Sequence, residues 1–454
     1  MTFMEEYKSK LITAKQAAEL IQPGMVIEYG AWAVMPAEFD AALAERVGTG
    51  QLKDLLIRNI STTRPSAAHI KNGDGDDLIF SSWYFSGWDR QQGAKHPRMP
   101  YFPALYHDVD NYYTQEQFKD KWADVFVIQC TPMDKHGFFN FGISNSANID
   151  IAMNAKIVIM EVNTTVPTAL GGFGEGLNIA DVDYIFESTN QPIVATPPPG
   201  AASPAEQAIA KLIVEEIPNR ATLQLGIGAL PNAVGSLIAQ SDLKDLGIST
   251  EMFCDAFVDL YQAGKITNRY KERDRYKSGY TFALGTKEMY DFIDHNANLA
   301  SMPVYRLNDL EYVRSISNFI SINNILEVDL YSQVTSEMAN YRQISGTGGQ
   351  LDFAQGAYES PGGKSFLAFT STYTDKEGKM HSRIRPFLPQ GAVVTTPRTM
   401  VHWLVTEYGK VNMKASSTWE RAEKLVSIAH PDFREELIKD AEKMGIWKRS
   451  NKRD

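Results

Sequence analysis

Residues 246–264 read LGISTEMFCDAFVDLYQAG, and residues 221–238 ahead of them read ATLQLGIGALPNAVGSLI. Together they spell a strand, a glycine loop, a helix, and then a short segment that carries Glu251 into the company of Met252, Phe253 and Cys254. A carboxylate in apolar surroundings is poorly solvated, which strengthens it as a nucleophile or raises its pKa. A second reading places Glu251, Asp255 and Asp259 at i, i+4 and i+8 on one wet helical face. Like charges at that spacing repel, and a wet face normally interleaves Lys or Arg, of which 251–264 holds none. Structural carboxylates also occupy perturbed sites. On the residues alone both readings stand.

Working outward, the stretch turns out to be half of an internal echo. TAKQAAELIQPGMVIEYGAWAVMPAEFDAALA (13–44) followed by LKDLLI resembles AEQAIAKLIVEEIPNRATLQLGIGALPNAVGSLIA (205–239) followed by LKDLGI. Each copy runs helix, strand, glycine-containing loop, proline, helix. The expectation is an α/β fold of two related open lobes with mostly parallel sheets. The break falls at the Pro-rich linker TPPPGAAS (196–203), giving lobes 1–200 and 201–454. Functional groups in such folds gather at strand carboxyl ends, here expected at the interface between the lobes.

The near-continuous apolar runs ADVFVIQC, AKIVIMEVN and DYIFE predict strands covered on both faces. LKDLLIRNI, YTFALG, SNFISINNILEVDLYSQV, FLAFTSTY, AVVTTPR and HWLVTEYG are read as further strands. The aromatic segment 71–121 is read as a loop-rich insertion sealing a core edge. Capping boxes at Thr13–Gln16, Ser203–Glu206 and Ser417–Glu420 each open a helix.

Bulk properties exclude several function classes. The 454 residues carry a net charge of −10, against a nucleic-acid partner. No run of 18 apolar residues and no signal-like N-terminus occur, so no membrane partner is expected. Two cysteines form no disulfide framework and fit a reducing, cytoplasmic compartment. Gly226-Ile-Gly-Ala-Leu-Pro231 fails as a dinucleotide fingerprint at Pro231, though its backbone N–H groups suit an oxyanion or phosphate. Gly362-Gly-Lys-Ser365 fails as a phosphate loop because Tyr358 stands where its first glycine belongs. The eight histidines are scattered, and no metal site is expected. Cys254 has no neighbouring cation and reads as packing. Asp255 and Asp259 read as partners of backbone, Arg or Lys.

The run LQLGIGALPNAVGSLI…DLGISTEMFCDAFVDLYQAGKITN resembles class I CoA-transferases of the acetyl-CoA hydrolase/transferase group. DVFVIQCTPMDKHGFFNFG, VNTTVPTALGG, SGTGGQLDF, VVTTPR, LVTEYGKVN and ERAEKLVSIAHPDFREELI extend the likeness over nearly the whole chain. The resemblance implies an acyl-CoA:carboxylate CoA-transferase, with butyryl and acetate as the first expectation. Transfer to 4-hydroxybutyrate or propionate, or acyl-CoA hydrolysis, is the alternative; a non-catalytic sensor would carry an appended DNA-binding domain. It further implies coenzyme A thioester as substrate rather than a tightly bound cofactor, a short-chain carboxylate as co-substrate, and a homo-oligomer. Glu251 matches the catalytic glutamate, which would carry a glutamyl-CoA thioester through ping-pong turnover. Gly226, Ile227, Gly228, Ala229 and Leu230 match the CoA-contacting loop, with Ile227 N–H as oxyanion donor. Asn318 is matched to the side-chain oxyanion donor and Gly349 to the backbone that receives the substrate carboxylate. Lys376 and Glu407 are matched to CoA contacts. The chain departs from the group at Ser249, where His is usual, and at Ser332, where Y-G-Q-V is usual.

Overall fold

The computed structural model describes residues 2–447 apart from 97, 173, 198, 199, 227 and 340. Two compact units emerge: Met1–Pro197 with Gly279–Leu307, and Pro198–Ser278 with Asn308–Asp454.

In the first unit a six-stranded sheet is built from β1 (Val26–Tyr29), β2 (Leu55–Asn59), β3 (Leu78–Ser82), β4 (Val125–Cys130), β5 (Ile157–Val162) and β6 (Tyr184–Glu187). Their order is β3-β2-β1-β4-β5-β6, with every pairing parallel. All six residues of β4 are buried, as a strand covered on both faces requires. Leu78–Ser82 lies within the segment read from sequence as an irregular insertion. It is instead the sheet's edge strand, with Leu78 and Phe80 fully buried.

The second unit holds β7 (Thr222–Leu225), β8 (Gly247–Phe253), β9 (Phe319–Asn324), β10 (Lys364–Ala368), β11 (Trp403–Thr406) and β12 (Gly409–Asn412), neighbours in the order β8-β7-β9-β10-β11-β12. All pair in parallel except the closing β11–β12 hairpin. Helices α1 (Pro204–Val214), α2 (Ala229–Gln240), α3 (Asp255–Gln262) and α4 (Gln350–Glu359) belong to this unit. The order β2-β1-β4-β5-β6 is repeated by β8-β7-β9-β10-β11, so the echo in sequence is an echo in topology. It reaches single torsions: the Asp of each Leu-Lys-Asp-Leu adopts a left-handed backbone, Asp54 at φ 54° and Asp245 at φ 58°. All three expected capping boxes form.

A single cut at 200/201 does not describe the units. Residues 279–307 belong with the first one, because their backbone bonds there. Ala283 N–H donates to Ile143 O at 2.8 Å, Ser301 N–H to Leu170 O at 2.8 Å, and the Phe282 ring stacks on Trp32 at 4.0 Å. AVVTTPR forms no strand; Thr396 makes one isolated bridge to Val334, and Val393 and Val394 are exposed.

Candidate active site

Parallel register places the groups at the carboxyl end of the second unit's sheet. Gly247 pairs with Thr222 and Leu225 with Ile322. Glu251, fifth in β8, therefore stands level with Gly226 just past β7 and with Asn323 near the end of β9. Glu251 lies on a strand, whereas Asp255 and Asp259 lie on α3, so the three do not share a helical face.

Glu251 is partly exposed as a residue, while its carboxyl is shielded from water, and one carboxyl oxygen is held by a neighbouring amide. Asn308 Nδ2 donates to Oε2 at 3.0 Å and to Asp352 Oδ2 at 3.2 Å. The N–H of Gly349, the residue that caps α4, also donates to Glu251. A Cβ at Gly349 would overlap both Glu251 Oε2 and Asn308 Nδ2, so this position must be glycine for space. Burial pushes the Glu251 carboxyl up to about 8; Asn308 and Gly349 pull it down, and the nearby Asp352 charge adds to the rise. The arrangement presents a desolvated, basic carboxyl beside two donors.

The glycine loop lies against the same edge. Gly228 caps α2 at φ 125°, a torsion that favours glycine, and no side chain caps the helix start. Ala229 and Leu230 begin α2, so their N–H groups are among the unsatisfied donors of its first turn. The Gly226 N–H is spent in the sheet, on Ile322 O at 2.9 Å. Ile227 lies outside the described residues.

Asn318 is not part of this constellation. It precedes β9 at φ 53°, its N–H bonded to Pro361 O at 2.8 Å and its carbonyl to the Thr222 N–H at 3.1 Å. That is the amino end of the sheet, five residues or about 16 Å along the strands from the level of Glu251. The asparagine that reaches Glu251 is Asn308, fully buried in the segment RLNDLEYV. Beside Asp309, which caps the next short helix, it reads locally as a turn residue and gives no sequence signal of its own. Asp352 likewise carries no local signal that ties it to Glu251.

Glu407 follows β11 on the same carboxyl edge as Glu251, four strands or about 19 Å away. Its carboxylate accepts from Ser371 N–H at 2.9 Å and Ser371 Oγ at 2.6 Å. Lys376 is exposed in the turn between strands Thr372–Thr374 and Met380–Ser382. Burial pushes the Cys254 thiol up to about 12, which keeps it protonated and unreactive. Ser249 is fully buried, and its hydroxyl has no partner among the described residues. Ser332 adopts φ 66°, where glycine is unstrained, and its Oγ accepts from Arg421 at 3.2 Å. No three metal-ligating side chains group together among the described residues, and no helix there is long and apolar enough to cross a membrane.

Comparison with known proteins bears on this geometry. The acetyl-CoA hydrolase/transferase N-terminal domain model matches residues 1–197, and the corresponding C-terminal domain model matches 285–441. Butyryl-CoA:acetate CoA-transferase of Anaerostipes caccae is 50% identical over 452 residues, spanning 100% of both chains. The chain belongs to the acetyl-CoA hydrolase/transferase family. A probable butyrate:acetyl-CoA coenzyme A-transferase of Syntrophomonas wolfei is 47% identical, over 99% of this chain and 98% of that one. Among solved structures, RipA from Yersinia pestis matches with a TM-score of 0.89 and 34% identity, covering 98% of this chain and 100% of its own. A 4-hydroxybutyrate CoA-transferase from Porphyromonas gingivalis matches at TM-score 0.79 and 29% identity over 98% and 100%. Family and relatives make the protein an enzyme of the CoA-transferase type. Glu251 lies in the stretch between the two matched family domains.

Proposed function

We propose that the enzyme transfers CoA between butyryl-CoA and acetate, with Glu251 as nucleophile. The choice of acids rests on the two relatives at 50% and 47% identity, whose names carry butyryl or butyrate together with acetate or acetyl-CoA. The observation that carries the mechanism is the convergence of Asn308 Nδ2 and Gly349 N–H on the Glu251 carboxyl.

A Glu251 oxygen attacks the thioester carbonyl, the C–S bond breaks, and a mixed anhydride forms with release of CoA thiolate. The thiolate attacks the Glu251 carbonyl, expelling butyrate and leaving a glutamyl-CoA thioester. Acetate then attacks that thioester, and the same two steps run in reverse to give acetyl-CoA. Whenever the Glu251 carbonyl becomes tetrahedral, its oxygen takes a full negative charge beside Asn308 and Gly349, the setting in which such donors act most strongly. The raised pKa makes Glu251 a stronger base, hence a better nucleophile once ionised. The loop Gly226 to Leu230 and the edge running to Glu407, with Lys376 beyond, are assigned to CoA. We assign the activity to the cytoplasm and to a homo-oligomer, with CoA entering as thioester substrate and no resident cofactor.

The test is steady-state kinetics with butyryl-CoA and acetate varied together. Parallel double-reciprocal lines are expected. Intersecting lines, or butyryl-CoA loss that ignores acetate, would refute the transfer mechanism.

A further inference from the structure

We infer that Asp352 is a positioning residue that locks the Asn308 amide with its NH2 group, rather than its oxygen, toward Glu251. The inference rests on the reading of Glu251 as nucleophile and adds a residue to it.

An asparagine amide has two ends of nearly equal size, so sterics alone do not choose which faces a neighbour. Only one choice helps the reactive, ionised Glu251, because Oδ1 turned toward it would oppose a carboxylate with a second acceptor. Asn308 Nδ2 carries two hydrogens and stands 3.0 Å from Glu251 Oε2 and 3.2 Å from Asp352 Oδ2, one hydrogen for each. An ionised Asp accepts and never donates, so Asp352 rejects the flipped amide even while Glu251 holds a proton it could donate to Oδ1. The lock holds even though it leaves Asn308 Oδ1 buried with no partner among the described residues, a circumstance that ordinarily favours rearrangement.

Asp352 is well placed for this task. It is 4% exposed and sits in the first turn of α4, where the helix dipole favours a negative side chain. The same helix start supplies the Gly349 N–H to Glu251. One rigid element therefore sets one donor directly and aims the other.

The test compares wild type, Asp352→Asn and Asp352→Glu in CoA transfer from butyryl-CoA to acetate across pH, with folding checked by circular dichroism. Asp352→Asn is nearly isosteric but tolerates either amide orientation. It is expected to lower kcat by roughly ten- to a hundredfold, short of the 10²–10³ for deleting a donor outright. It also removes a negative charge beside Glu251, so the acid limb of kcat/KM should move to lower pH. Asp352→Glu keeps the charge and should keep the wild-type acid limb while losing part of kcat. Wild-type kcat and an unmoved limb in Asp352→Asn would overturn the inference, as would equal limb shifts in both variants, which a purely structural role predicts. An inactive wild type would instead refute the parent reading, so the two failures are separable.

Discussion

Replacing Glu251 with Gln should stabilise the protein, and by an amount that depends on pH. Glu251→Gln keeps the shape and an acceptor for Asn308 and Gly349 but removes the titrating group. The folded carboxyl is held up at about 8, against an ordinary value of 4.5. Below pH 4.5 both folded and unfolded chains hold the proton, and the residue contributes no pH dependence. Between 4.5 and 8 the unfolded chain releases a proton that the folded chain keeps, so stability falls as pH rises. Above 8 the full penalty is present: at about 1.36 kcal/mol per unit, at most about 5 kcal/mol. For a unit of roughly 150–250 residues each kcal/mol moves Tm by about 2–4 °C, so the gap is about 10–20 °C at its largest. Calorimetry of both proteins at pH 5, 7 and 9 is the assay. The advantage of Glu251→Gln is expected to be small at pH 5 and to grow to pH 9. An advantage that stays constant with pH would show that Glu251 is not held protonated, and the electrostatic account of the site would fail.

Two further predictions separate residues that sequence alone confuses. Asn308→Ala should lower kcat by about 10²–10³, the usual consequence of losing one oxyanion donor. Asn318→Gly keeps the left-handed torsion and should leave CoA transfer within about twofold of wild type; steady-state kinetics of the pair decides which asparagine serves Glu251. Gly349→Ala should lower kcat by at least about tenfold and stability by about 1–3 kcal/mol, because its methyl overlaps Glu251 and Asn308 and overpacked sites relax only at that expense. Urea titration alongside kinetics would read both effects, and a fully active, fully stable variant would contradict the packing.

How far the sequence discloses this arrangement depends on the range of the interactions involved. Buried parallel strands such as Val125–Cys130 and Ile157–Val162 are legible because both faces must be apolar. The strand–glycine–helix unit around Gly228 is legible because turn torsions and capping are local. The edge strand Leu78–Ser82 escapes because its register with β2 is set by residues some twenty positions away, while its own surroundings are aromatic and turn-rich. AVVTTPR misleads in the other direction: its β-branched residues favour extended backbone, yet no neighbour among the described residues completes a ladder. The return of 279–307 to the first unit is fixed by bonds to 143–146 and 168–170, which no local pattern announces. The apolar neighbours of Glu251 are adjacent in sequence and mark it as a perturbed carboxylate, while its catalytic role is read from the family resemblance. Asn308 and Asp352 are not legible in the sequence because each meets Glu251 only through folding, 57 residues apart in the first case.

The central claim is that Glu251 becomes joined to CoA through its own carboxyl. The direct measurement is to mix the enzyme with butyryl-CoA in the absence of acetate, reduce with borohydride, and map the modified peptide by mass spectrometry. The account predicts reduction of a single side chain, Glu251, to the corresponding alcohol, with butyrate released in equal amount. An unmodified Glu251 in enzyme that turns over fully, or a modification at any other residue, would contradict it.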